Sequence, residues 1–196
     1  MGRTSVVLVL TSLLAALMSC GEADIHTLVI RDDGETRKQT SYFERGEYLG
    51  LRIPAIGLET RLNYAPLVDG SIDRGALKSH PAWICPEAGP GLCEIGRSGV
   101  SLILGHRQWG MRPLVFARLD ELRRGDTLTI FGRALSLSYE VFDRAEIHPD
   151  NIWRVVEGVS GLALREARSV IILVTCAPYG QNHRRLLVFA HKRGGG

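Results

Sequence analysis

Covalent chemistry is best supported by the stretch VIILVTCAPYGQNHRRLLVFA at residues 170–190. Its apolar first half predicts a buried strand that carries Thr175 and Cys176 to its end, before a loop rich in turn residues. A thiol held at a strand end beside a loop is both rigidly placed and accessible, as a nucleophile must be. The alternative is that Cys176 is a small buried hydrophobic residue, which is common for free cysteine.

A second stretch, VSLILGHRQW at residues 100–109, ends another apolar strand in Gly105 and then His106. The usual pKa of histidine lies close to neutral pH, so His106 can act as a general acid or base. The other histidines lack this position at a strand end, and the alternative for His106 is a structural role.

Two arginines, Arg184 and Arg185, precede the last apolar run. A thiol that attacks an amide carbonyl creates an oxyanion, and a fixed guanidinium can stabilise that charge. Side chains alternate along a strand, so the two arginines must point to opposite faces and only one can serve the site.

Short strands must position these side chains. The strand-like runs are 51–56, 100–104, 127–131, 135–142, 170–175 and 186–190, with a weaker one at 26–30. Helical patterns are short, at 72–78, 113–122 and 150–156. Many strands, few helices and no strand–helix–strand repeat predict an all-β barrel or sandwich with a few small helices.

The N-terminus is typical of an exported protein. Arg3 is followed by an uncharged apolar run at 5–19, which is a secretory signal pattern, and Leu17-Met18-Ser19-Cys20 resembles a lipoprotein cleavage motif with Cys20 as the lipidated residue. A lipoprotein, a plain cleaved signal and an uncleaved signal anchor all place residues 21–196 outside the cytoplasm. We expect a signal peptide at 1–20, a stalk at 21–50 and a catalytic domain at 51–193.

Cys85 and Cys93 flank a loop rich in Pro and Gly. An extracytoplasmic location permits a disulfide between them, with free thiols or a zinc site using His80 as alternatives. The disulfide reading leaves Cys176 unpaired. The formal net charge is +3, and no basic run is interleaved with aromatic residues, so nucleic-acid binding is not predicted.

Several segments together resemble the sortase family. TCAPYGQNHRRLLV matches its Thr-Cys signature in the form nearest to class C sortases, LILGHR its strand-Gly-His-Arg segment, LRIPAIGL its opening strand and FARLDELRRGDTLTI its Gly-Asp segment. The resemblance extends over about residues 51–190. It implies a closed eight-stranded β-barrel with a few short helices, and a cysteine transpeptidase that needs no cofactor or metal.

The resemblance also implies residue roles. Cys176 is the expected nucleophile, His106 its proton partner and Arg185 the oxyanion stabiliser, and the expected substrate-binding residues are Thr175, Arg107, Tyr179 and Asn182. The expected partners are a protein with a Leu-Pro-X-Thr-Gly-like (LPXTG-like) sorting signal, an amine acceptor such as a peptidoglycan precursor or a pilin lysine, and the membrane through the N-terminus.

Three hypotheses compete with this one, and only the first would use the same three residues. A cysteine peptidase would transfer the acyl group to water, and a non-catalytic lipoprotein would keep the barrel for binding. An L,D-transpeptidase is disfavoured because its usual Ser-His-Gly-Cys-type signature is absent from the sequence.

Overall fold

The computed structural model describes residues 48–68, 71–72, 77, 79–84, 89, 91–133, 135–178, 180 and 183–194. The predicted signal, Cys20 and the predicted strand at 26–30 lie outside these residues, as do Cys85, Tyr179 and Asn182.

Eight of the strands close into a barrel, in the order β1-β2-β5-β6-β11-β12-β10-β9. In chain order the strands are β1 (Leu49–Ile53), β2 (Leu58–Ala65), β3 (Leu67–Val68), β4 (Ser71–Ile72), β5 (Ala82–Ile84), β6 (Gly99–Leu104), β7 (Gln108–Trp109), β8 (Arg112–Pro113), β9 (Thr127–Phe131), β10 (Ser136–Ile147), β11 (Ser169–Ala177) and β12 (Arg184–Lys192). Pairs β3–β4 and β7–β8 form two small separate sheets. Within the barrel, β6 runs parallel to β11 and β2 parallel to β5.

The centre of the fold is strand β11, every residue of which is buried. Ile171 and Leu173 point into the barrel interior, where they join the inward side chains of β1, β9 and β12. Ile172 and Val174 point outward and pack under helix α1 (Ile152–Arg165). A strand that is covered on both faces needs apolar residues at successive positions, which explains the continuous apolar run in β11.

Helix α1 covers the outer face of β6 and β11 with one apolar stripe. Its buried residues, Ile152, Trp153, Val156, Ser160 and Ala163, follow helical spacing, so they form one face of the helix. The Ser160 hydroxyl donates a hydrogen bond to the carbonyl of Gly91 at 2.8 Å, which fixes the helix against the loop before β6.

The predicted all-β barrel is confirmed, as a closed barrel of eight strands with one α-helix and short 3-10 turns among the described residues. Strands β2 and β5 were not predicted. The C-terminal part of the predicted 51–56 strand is a 3-10 turn, Pro54–Ile56.

The predicted helix at 113–122 is wrong. Pro113 belongs to β8, and only Leu119–Glu121 forms a 3-10 turn. The backbone N–H groups of Leu114 and Phe116 are used elsewhere, because they donate to the carbonyls of Arg107 and His106. The predicted short helix at 150–156 is longer than expected and extends to Arg165 as α1.

Candidate active site

The candidate nucleophile Cys176 lies directly opposite Arg185, because β11 and β12 are antiparallel neighbours with Cys176 paired to Arg185. Directly opposed residues of an antiparallel pair project to the same face with their Cβ atoms about 4.5–5.5 Å apart. That face is the outer one, since Val174 and Leu187, the next residues along it, belong to the cluster under α1. The strand pairing therefore places a thiol beside a guanidinium on the outside of the barrel.

Arg185 is almost fully buried, with 3% of its surface exposed, and its Nη1 donates to the Arg184 carbonyl at 2.9 Å. Arg184 is exposed, and its guanidinium contacts Glu146 instead. Its Nη2 donates to the Glu146 carbonyl at 2.9 Å, and its Nε lies 3.8 Å from the Glu146 carboxylate. The predicted alternation of the two arginines is thus realised, and Arg185 is the one that shares a face with Cys176.

The strand that carries His106 ends beside the strand that carries Cys176. Parallel pairing of β6 with β11 brings Leu104 against Val174, and the N–H of Gly105 donates to the Val174 carbonyl at 3.0 Å. The Thr175 hydroxyl then donates to the Gly105 carbonyl at 2.8 Å. The residues immediately before Cys176 and His106 are therefore hydrogen-bonded to each other.

Thr175 itself has no exposed surface, and its hydroxyl is already used by this bond. Its observed contact joins the segment that leads to Cys176 to the segment that leads to His106. A direct contact between its hydroxyl and a substrate stays a prediction.

The His106 backbone is held from the other side by Phe116, whose N–H donates to the His106 carbonyl at 3.0 Å. The Phe116 ring packs directly against Gly105, and a Cβ at that position would come within 2.3 Å of the ring. Glycine is therefore required where the strand turns out toward His106. Burial lowers the pKa of His106 below its usual value of 6.5, so the neutral imidazole predominates at neutral pH.

A further contact joins the two segments beyond the sheet. The N–H of Gly180, four positions after Cys176, donates to Oε1 of Gln108 at 2.7 Å. Gln108 was not a candidate from sequence, because a glutamine two positions after a histidine has no distinguishing type or spacing.

The sequence model of the Sortase domain matches residues 51–193. The chain belongs to the sortase family. No curated protein matches it.

Similar solved structures include class C sortases. The chain is 26% identical to sortase C1 from Streptococcus agalactiae, with a TM-score of 0.58, over 81% of this chain and 74% of that one. It is 24% identical to sortase C-1 from Actinomyces oris, with a TM-score of 0.58, over 75% of this chain and 74% of that one. Sortase C2 of pilus island 1 from group B Streptococcus is 23% identical, with a TM-score of 0.58, over 74% of this chain and 73% of that one. The resemblance to class C sortases is confirmed.

Within this sortase fold, the predicted substrate-binding residue Arg107 is buried and paired. Its Nη2 lies 2.7 Å from the Asp120 carboxylate. This ion pair ties the segment after His106 to the 3-10 turn at Leu119–Glu121. A substrate contact by Arg107 stays a prediction, and the pair with Asp120 is its described role.

The other sequence candidates stay predictions. Tyr179 and Asn182 lie outside the described residues, as does Cys85. Cys93 carries a free thiol whose Sγ lies 3.7 Å from the Ser101 hydroxyl, and burial raises its pKa to about 11. His80 lies with Nδ1 3.1 Å from the Thr60 hydroxyl. The described residues include no group of three metal-binding side chains and no helix able to cross a membrane.

Proposed function

We propose that the protein is an extracytoplasmic cysteine transpeptidase that cleaves an LPXTG-like sorting signal and transfers the acyl group to an amine. The observation that carries this proposal is the register of β11, which sets Cys176 opposite buried Arg185 while Thr175 holds the strand end that leads to His106. Membership of the sortase family supports the same chemistry.

The first half of the reaction forms a thioester. Cys176 Sγ attacks the carbonyl carbon of the Thr in the sorting signal, and the Thr–Gly C–N bond breaks. The thiolate is the competent nucleophile. Because burial favours neutral His106, the imidazole is free to take the thiol proton and then give it to the leaving glycine amine. Arg185 stabilises the oxyanion that forms between these steps.

The second half resolves the thioester. An amine attacks the same carbonyl, the C–S bond breaks, and the proton released by the amine returns through His106 to the thiolate. A pilin lysine or a peptidoglycan precursor would supply the amine. Water in the same position would give hydrolysis and hence a peptidase.

We further propose that the N-terminal 20 residues direct this domain to the outside of the cytoplasmic membrane, as a lipoprotein, a cleaved precursor or an anchored protein. The support is the apolar run at 5–19 together with Cys20. Mass analysis of the mature N-terminus separates the three, because lipidated Cys20, a free new N-terminus and an intact Met1 differ in mass.

The decisive experiment for the chemistry is an intact mass spectrum of the protein after incubation with a pool of LPXTG-like peptides. We expect an adduct equal to the peptide minus its leaving segment, mapped to Cys176. Cys176→Ala should abolish it, whereas Cys93→Ala, which removes a half-buried thiol, should keep it. Adding an amine should then discharge the adduct to a ligated product.

Absence of any adduct from a protein whose Cys176 still reacts with a small alkylating reagent would count against this function and favour a binding protein. Discharge of the adduct to the free acid alone, at high amine concentration, would replace the transpeptidase by a peptidase.

A further inference from the structure

Strands β6 and β11 run side by side only as far as the site. Their last shared contacts are the bond from Gly105 N–H to the Val174 carbonyl and the bond from the Thr175 hydroxyl to the Gly105 carbonyl. Beyond that point β11 continues along β12, while the chain after Gly105 leaves the barrel with His106. The surroundings of the two catalytic side chains are thus built by separate segments.

Gln108 bridges these segments again. Its Oε1 accepts the N–H of Gly180 at 2.7 Å, across 72 positions of sequence. Its own backbone is well fixed, because Gln108 pairs with Pro113 in the β7–β8 hairpin. The preceding residue, Arg107, is anchored by the ion pair with Asp120 and by the N–H of Leu114 on its carbonyl.

Gly180, by contrast, is exposed and lies outside any strand, at a φ of 84° that favours glycine. Its N–H is used in the bond to Gln108. The acceptor, Gln108, is fixed on the segment after His106, and the donor, Gly180, is exposed on the segment after Cys176. In this contact Gln108 therefore sets the position of Gly180.

We propose that Gln108 is a positioning residue of this active site, which holds the chain after Cys176 against the chain after His106 in the arrangement that receives the peptide. This inference rests on the proposed transpeptidase function and deepens it. Gln108 does not touch the reacting atoms, and it acts through Gly180.

The expected effect follows from the strength of one exposed hydrogen bond. Its loss should lower the ratio of the held to the released position on the order of fivefold. A protein whose binding-competent state is less populated binds with a proportionally weaker apparent affinity, so KM should rise while kcat at saturating peptide stays unchanged. Cys176 has 5% of its surface exposed, so a larger released population should also speed its alkylation. Because both increases arise from one ratio, the fold rise in KM multiplied by the fold rise in alkylation rate should be about five.

The experiment compares Gln108→Ala with Gln108→Glu, because the glutamate keeps an acceptor oxygen at the same reach. Arg112→Ala is the matched control, since it removes an exposed side chain from the same hairpin. Each variant is assayed for peptide KM and kcat, for the rate at which a small neutral reagent alkylates Cys176, and for Tm. We expect the Gln108→Ala changes given above with Tm lowered by no more than about 3 °C, and wild-type behaviour from the other two.

An alkylation rate and a KM that both equal the wild-type values in Gln108→Ala would overturn the inference. A fall in kcat at saturating peptide would also overturn it, because the bond would then act on the chemical steps and not on the position that receives the peptide. Faster alkylation of Gln108→Ala, in a protein that forms no acyl-enzyme with any peptide, would support the positioning role and refute the proposed transpeptidase function instead.

Discussion

Replacing Thr175 by valine tests how the barrel couples the segment that carries Cys176 to the segment that carries His106. Valine has nearly the same shape as threonine, so Thr175→Val removes the hydroxyl with little change in packing. The lost bond is the 2.8 Å contact to the Gly105 carbonyl in a position with no exposed surface. Removing one partner of a buried hydrogen bond costs about 1–3 kcal/mol of the free energy of unfolding. For a chain of this size that corresponds to a fall in Tm of about 3–9 °C.

The activity should fall as well, because the Gly105 carbonyl belongs to the residue immediately before His106. Misplacement of a catalytic group by about 1 Å can cost up to roughly a hundredfold in rate, so we expect kcat of Thr175→Val to fall by tenfold to a hundredfold. Thr175→Ser keeps the hydroxyl and loses one buried methyl group, at a cost of about 1 kcal/mol, and should retain most of kcat.

Urea unfolding and steady-state kinetics on the three proteins give both quantities. Wild-type stability in Thr175→Val, combined with a loss of kcat, would refute the positioning argument and favour a direct contact between the hydroxyl and the substrate. Equal losses of kcat in the serine and valine variants would also refute it, because the hydroxyl would then be irrelevant.

Three further predictions concern charge and protonation. Arg185→Ala should lower kcat/KM by about a hundredfold to a thousandfold, as expected for loss of an oxyanion donor. The kcat/KM of Arg184→Ala should stay within a few-fold of the wild type, because that side chain is exposed and bound to Glu146. Equal losses in the two variants would contradict the assignment. NMR titration of His106 should give a pKa below 6.5, and a pKa at or above 6.5 would contradict the burial argument. Because the unfolded chain then binds a proton more readily than the folded one, the free energy of unfolding should rise with pH up to about 6.5. This rise should flatten in His106→Gln. Because the pKa of Cys93 is about 11, little of its thiol is ionised at pH 8, and it should resist alkylation in the native protein. Cys176→Ala should lose the principal labelled site. Rapid labelling of Cys93 would contradict its burial.

The predicted disulfide between Cys85 and Cys93 has its own check. A non-reducing peptide map of the exported protein distinguishes this pairing from the free thiol that the structure gives Cys93: linked peptides would establish the disulfide, and separate thiol-bearing peptides would exclude it.

Sequence reasoning succeeded where local pattern and tertiary structure agree. The continuous apolar run of β11 and the alternation in β12 predicted two strands and assigned Arg184 and Arg185 to opposite faces. It failed at 113–122, where the apolar residues have helical spacing but no helix forms. The N–H groups of Leu114 and Phe116 are hydrogen-bonded instead to the segment that carries His106. A local pattern cannot anticipate a distant backbone partner that competes for the same N–H groups.

Residue types and their spacing by themselves determined that this chain carries a strand-end thiol, a strand-end histidine and a paired arginine, and the four family-like segments set their roles as expectations. Only the tertiary structure decided that Thr175 bonds to Gly105, that Arg107 is buried against Asp120, and that Gln108 reaches Gly180. These contacts join residues from 13 to 72 positions apart, so they exist only once the barrel has closed. Closure is a property of the whole set of strand registers, and no single stretch of sequence contains it.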